Sequence, residues 1–353
     1  MRSRLYVAAF VAALVLTACS SSEGPKPPQP PGPSDGRAGA RADGAELLHR
    51  GKGHASAQNP AFSPDGGSVL FTLFAGGYNE GAAALRVLSL RGGAQSRPGT
   101  LLDEADRAAV NLPGSSWHPS AGVTFASDRE GGRDEVWVMP PGGRPERVTE
   151  HGGGSGFLEP SFSPDGTWIV FQESRESEES EESGTEEGSA DGGSVLGSLW
   201  KVRRDGSGRT RLLDGPATGT DNRQPNWSPR SDRLVFQRRE RGSHDWALYV
   251  MNADGSGLRR LTGGAGEHTD PSWSPDGRQV VFSSTAGGLE VPQIFVIPVD
   301  GGRPVRVTRN DGSYDGAPSW SPDGRWIAFE SHPGDEDRPT ALWRIPAPGT
   351  DGP

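Results

Sequence analysis

Apolar residues come in short runs along this chain, and most of the runs close one phrase that recurs six times. The phrase is a proline, a small residue, an aromatic, Ser-Pro-Asp-Gly, then a strip of Val, Ile, Leu or Trp that ends on Phe. Four copies keep the Ser-Pro turn and the final Phe with little change: Pro60 to Phe71, Pro160 to Phe171, Pro271 to Phe282 and Pro318 to Phe329. Pro225 to Phe236 has Ser-Pro-Arg in the turn, and Ser115 to Phe125 is a worn sixth copy. The aromatics stand at 62, 117, 162, 227, 273 and 320, spaced 55, 45, 65, 46 and 47 residues apart. A period near forty-five residues marks one supersecondary unit repeated and stacked.

Each copy predicts strand, tight turn, strand. Pro presets φ in Ser-Pro-Asp-Gly, Asp tolerates the next position and Gly accepts the left-handed exit. The apolar run to Phe suits a strand covered on both faces. A third strand follows in every unit, at Leu85–Leu90, Glu135–Met139, Leu199–Val202, Ala247–Met251, Gln293–Ile297 and Ala341–Ile345. Glycine turns such as Gly142-Gly143 and Asp254-Gly255 then lead to a fourth strand. That strand carries the endings Arg147-Val148-Thr149, Arg260-Leu261-Thr262 and Arg306-Val307-Thr308. Six sets of four antiparallel strands predict an all-β, six-bladed β-propeller over residues 45–347. The sixth set lacks a fourth strand, and residues 45–50 stand before the first set with no partner. Pairing them closes the ring and removes a sheet edge.

The ends read differently. Arg2 and Arg4 followed by the apolar run Leu5 to Leu16 predict an export signal over residues 1–18, a run too short to span a bilayer. Leu16-Thr17-Ala18-Cys19 resembles the lipobox of bacterial lipoproteins. The resemblance implies lipidation of Cys19, the single cysteine, and membrane attachment through several acyl chains. By that same analogy Ser20 points to the outer membrane, at its periplasmic face or the cell surface. Residues 19–44 are rich in Pro, then Gly and Ala, and predict a tether; residues 348–353 form a tail. Inside the third unit, residues 173–194 hold nine acidic residues and one basic and predict a disordered acidic insertion.

Charge narrows the function. The formal net charge is −10, and removing the signal makes it −12. With no basic stripe to neutralise phosphates, nucleic acid is not an expected partner. Motifs for a nucleophile elbow, a phosphate loop or a zinc helix are absent, and the seven histidines are scattered, so neither a cofactor nor a metal is expected. Candidate chemistry falls on the loops entering the innermost strands, which ring the mouth of the central channel. Asn59, Glu159, Gln224 and Asp270 directly precede the repeat, with His268 and Asp315 close by. Glu159 and Asp270 could also serve as an acid and base pair, so a carboxylate-based hydrolase or lyase stands beside a binding site, and a structural spacer beside both.

The repeated phrase, its third strand and the Arg-x-Thr ending resemble the WD-like β-propeller repeat of the TolB family, over about 300 residues. The resemblance implies a monomeric propeller that binds an envelope protein or a peptidoglycan-associated partner. TolB proteins carry an α/β domain before the propeller and are soluble. Here the expectation is only the tether in that place, with the lipobox-like Leu16 to Cys19 before it. The combined expectation is a membrane-tethered lipoprotein whose propeller is a binding scaffold in the cell envelope.

Overall fold

The computed structural model describes residues 40–91, 96–103, 109–111, 114–150, 155–175, 196–230, 232–334 and 338–349. The export signal, Cys19, most of the tether, most of the acidic insertion and the last four residues lie outside them. The described residues form six antiparallel sheets arranged as blades, with one short helix, Gly215–Thr218.

Four strands build each blade from the axis outward. Blade 1 is Ser56–Phe62, Ser68–Phe74, Ala83–Ser89 and Gly99–Leu102. Blades 3, 4 and 5 start at Ser155–Phe162, Thr220–Trp227 and His268–Trp273, and each continues through three further strands. Blade 6 is Ser313–Trp320, Trp326–Pro333 and Ala341–Pro346, completed by the early strand Glu46–Arg50. The worn second copy has a physical counterpart. Its innermost strand is broken into Ala109–Val110 and Trp117–His118, both paired to Gly122–Ser127.

The Ser-Pro-Asp-Gly turn is closed by its own side chains. Ser63 donates from its hydroxyl to Asp65 Oδ1 at 2.6 Å and accepts the Ser68 N–H at 2.9 Å, while Asp65 Oδ1 accepts the Gly67 N–H at 3.0 Å. The same three bonds recur around Asp165, Asp276 and Asp323. The phrase ends on Phe because that ring is core: Phe71, Phe125, Phe171, Phe236, Phe282 and Phe329 are all fully buried. Each packs in a seam with residues of the adjoining blade, as Phe282 does with Val235 and Leu248.

Three boundaries shift from the sequence reading. The fourth strands of blades 2, 4 and 5 are only two residues long, Glu146–Arg147, Arg259–Arg260 and Val305–Arg306. The threonine after each bends back to cap the third strand: Thr149, Thr262 and Thr308 accept the N–H of Val136, Leu248 and Ile294 through Oγ1 at 2.9 Å. The second strand of blade 3 runs on to Arg175, so Glu173 belongs to the sheet and accepts the Trp200 indole N–H at 2.8 Å. The described residues begin inside the range expected for the tether. Arg41 is held against blade 6 by Asp315, with Nη1 to Oδ1 at 2.7 Å and Nη2 to Oδ2 at 2.8 Å, and lies over the rings of Phe329 and Trp343.

Candidate functional site

One position in every blade breaks the regular strand. Asn59, Glu159, Gln224, Asp270 and Ala317 have φ of 55°, 55°, 51°, 53° and 46°, and Gly114 of blade 2 has 92°. Left-handed backbone is strained for residues with a Cβ, so its repetition marks a constraint shared by the blades. In five blades the innermost strand loses register here, for example between Leu158 and Ser161 and between Thr269 and Ser272. The proline that follows has no N–H, so the ladder forfeits no donor at that residue.

The left-handed turn directs an N–H toward the side chains of the preceding blade. Gln224 donates its N–H to Glu159 Oε2 at 2.8 Å and Gln172 Oε1 at 3.4 Å. Asp270 donates to Gln224 Oε1 at 2.9 Å and Gln237 Oε1 at 3.0 Å. Ala317 donates to the Asp270 carboxylate. A methyl group accepts nothing, and at the next seam Glu330 takes over: Asn59 donates its N–H to Glu330 Oε2 at 2.9 Å. Asn111 continues the sequence by donating to the Asn59 carbonyl at 2.8 Å. These hydrogen bonds form a wheel that runs around the axis from blade 3 through blades 4, 5 and 6 to blades 1 and 2.

Above the wheel, at the rim where the chain enters the innermost strands, adjoining blades are joined by a second regular set of backbone bonds. The N–H of Ala57, Phe157, Asn222, His268 and Asp315 donates to the carbonyl of Thr340, Asp134, Gly197, Trp246 and Pro292 respectively. Tyr78 and Tyr314 meet at this mouth with ring centroids 6.1 Å apart, and Tyr314 stacks on His332 at 4.7 Å. Below the wheel, blade 2 crosses the axis. Ser115 donates to Asn226 Oδ1 at 2.8 Å on blade 4, and Gly114 lies so close to blade 5 that a Cβ there would sit 2.5 Å from Ser272 Oγ.

This geometry sets the electrostatics. Burial pushes the Glu159 carboxyl up to about 7, against the Gln224 N–H and Arg223, which favour the anion. Burial pushes Glu330 up to about 8, opposed by the Asn59 N–H, and also raises Asp270. The three are coupled through Asp270, whose charge disfavours ionisation of the other two. Tyr78 and Tyr314 are raised well above the ordinary phenol range, first by burial and then by neighbouring groups that include Glu330 and Asp270.

Of the residues expected at the mouth, the structure brings Asn59, Glu159, Gln224 and Asp270 together on the wheel. His268 and Asp315 stand two residues earlier on their strands and turn into the seams. His268 is buried, with Nδ1 2.8 Å from Ser284 Oγ and its ring edge-on to Phe282. Asp315 is fully buried and occupied by Arg41. Sequence reasoning missed Gln172, Gln237 and Glu330. Their signal was available, since each is the polar residue directly after the Phe that ends the repeat. Tyr78 carried no such signal.

Two shallow surface clefts lie away from the axis. One, of about 370 Å³, is beside Trp137 and Arg147 on blade 2; the other, of about 350 Å³, is between Asp165 and Arg203. Among the described residues no three His, Cys, Asp or Glu side chains are placed to share a metal ion.

Comparison with known proteins places this geometry. Residues 214–339 match the TolB beta propeller domain. The propeller is TolB-like. A TolB homolog of Chlorobium luteolum is 31% identical over 139 residues, which are 38% of this chain and 27% of that protein, so the match spans about a quarter of that relative. Among solved structures, a putative TolB from Agrobacterium tumefaciens superposes with TM-score 0.50 at 19% identity, covering 83% of this chain and 90% of its own. TolB from Acinetobacter baumannii gives 0.52 at 16%, covering 84% and 64%. An oligogalacturonate lyase in complex with manganese gives 0.54 at 16%, covering 88% and 95%. At these identities the superpositions speak to the fold of the TolB-like propeller, and fold does not assign activity.

Proposed function

We propose that this TolB-like propeller is a protein-binding scaffold of the bacterial cell envelope, tethered to a membrane by a lipid on Cys19, with the channel mouth as its contact surface. The observation that supports the mouth is the wheel itself. Glu159, Asp270 and Glu330 converge at one end of the axis, half-buried or buried, and burial raises all three, the kind of perturbed cluster that gathers at functional sites. The anchor rests on the resemblance of Leu16 to Cys19 to a lipobox, and the partner class, an envelope protein or a peptidoglycan-associated one, rests on the TolB likeness.

The test is capture from solubilised envelope with the full chain and with a Glu159→Gln/Asp270→Asn chain. Both substitutions keep an acceptor for the neighbouring N–H and remove the charge. A discrete protein held by the wild type and lost by the variant supports the reading. Equal capture by both removes the mouth from it. Membrane sedimentation of Cys19→Ala tests the anchor separately: release supports it, and retention contradicts it.

A second reading is favoured by the same carboxyls. With Glu159 at about 7 and Glu330 at about 8, Glu330 is mostly and Glu159 partly protonated at neutral pH, and either could act as a general acid in an envelope hydrolase or lyase working on a glycan or peptide. Turnover of such a substrate that disappears in Glu159→Gln would favour catalysis over binding.

A further inference from the structure

Tyr78 comes from a hairpin that leaves blade 1 and enters the mouth from the side. The hairpin joins the second and third strands, closed by Ala75 N–H to the Ala82 carbonyl at 3.0 Å and Gly76 N–H to the Glu80 carbonyl at 2.9 Å. Its arms approach so closely that a Cβ on Gly81 would stand 2.9 Å from the Gly76 nitrogen, and Gly81 has φ of 82°. Asn79 at the tip is left-handed, with φ of 55°. Ala75, Gly76, Glu80, Gly81 and Ala82 are exposed, while the Tyr78 side chain turns inward.

Its socket belongs to the other end of the chain. The Tyr78 ring lies edge-on to Tyr314 and 5.7 Å from the His332 ring, and its hydroxyl is 3.5 Å from that of Tyr314. It also hydrogen-bonds the Glu330 carboxyl, the group that receives the Asn59 N–H. Beneath it lie Asp270 and Glu159 on the wheel, and beneath those the Gly114–Ser115 crossing closes the axis. Among the described residues, the chamber around the three carboxyls is thus floored by blade 2 and roofed by Tyr78 and Tyr314. The two halves of the roof differ in kind. The floor and the Tyr314 half of the roof are parts of blades, whereas the Tyr78 half is one side chain on an exposed, glycine-rich hairpin, the type of segment that opens locally at low cost.

We infer that the Tyr78 hairpin is a stopper: it closes the carboxyl chamber from the mouth and swings out as a unit to admit whatever engages the wheel. This adds regulation to the site proposed above and rests on that reading for its biological meaning. Its physical content stands alone, because opening can be read without a partner.

The experiment is carboxyl labelling of the full chain with a water-soluble carbodiimide and glycinamide, followed by peptide mass spectrometry. Exposed Glu290 serves as the internal reference. In Tyr78→Ala, Glu330 and Glu159 should label at least about tenfold faster than in the wild type, as for an opening made easier by about 1.4 kcal/mol. Tyr78→Phe keeps the ring and should stay close to wild type. Equal labelling in Tyr78→Ala and wild type overturns the inference. Should Tyr78→Ala lose its cooperative melt, nitration of Tyr78 by tetranitromethane in the wild type decides instead. A rate nearly independent of urea supports a local swing, and one as steep in urea as global unfolding overturns it. If labelling supports the stopper while capture is indifferent to the wheel, the binding reading falls and the stopper stands; the opposite pattern removes the stopper alone.

Discussion

Glu330 accepts the Asn59 N–H at 2.9 Å across 271 residues of sequence, at the seam where the two ends of the ring meet. At the seams between blades 3 and 4, 4 and 5, and 5 and 6 the N–H is accepted by the side chain of the left-handed residue of the preceding blade, but blade 6 has Ala317 there. Removing the acceptor leaves a buried N–H without a partner, so Glu330→Ala should cost about 1–3 kcal/mol. Glu330→Gln keeps the acceptor and should cost much less. Thermal unfolding of the two variants side by side checks the difference.

The left-handed positions predict opposite signs for two small changes. Ala317 bears φ of 46°, so Ala317→Gly should relieve strain and stabilise the fold by about 1 kcal/mol. Gly114→Ala adds a Cβ 2.5 Å from Ser272 Oγ on a backbone at φ 92°, and should destabilise it. Chemical denaturation midpoints at constant m separate the two outcomes.

Arg41 clamps Asp315 through both carboxylate oxygens inside the blade 5–6 rim and extends the ring closure beyond the paired strand Glu46–Arg50. Asp315→Ala leaves the guanidinium buried without its main counter-ion and should cost about 3–5 kcal/mol. The double variant with Arg41→Ala should cost less than the two single losses added together, which a double-mutant cycle measures.

The contribution of two buried carboxyls to stability should fall as pH rises from about 4.5 to about 8. The folded carboxyls of Glu159, near 7, and Glu330, near 8, lie above the ordinary 4.5, so the folded state holds protons that the unfolded chain has released. Their contribution is complete below about pH 4.5 and is lost as pH climbs through the folded values. His49 and His268 act in the other direction, since burial lowers both and protonating them costs stability below about pH 6.5. The Glu159→Gln/Glu330→Gln chain should therefore lose less Tm than the wild type between about pH 5 and about pH 8. Parallel slopes would show that these carboxyls do not titrate in that range.

Much of the fold was legible because its signals are local. A turn closed within Ser63 to Ser68, an apolar run to Phe71 and a surplus strand at residues 45–50 all announce themselves over a few residues. The candidate site was legible only in part. Nearness to the repeat puts His268 and Asp315 at the mouth, but the left-handed residue two positions on shifts the register, and their side chains lie in the seams. Glu330 and Tyr78 find their partners 271 and 236 residues away, distances that local patterning does not encode.

The central claim, that the mouth is the contact surface, is tested most directly by photo-crosslinking in living cells from both rims. A benzophenone amino acid would replace Glu80 or Asp245 at the mouth, and Asp254 or Asp300 at the opposite rim, all exposed. The account predicts a discrete adduct from the mouth positions and none from the other pair. Adducts confined to Asp254 and Asp300 would contradict it.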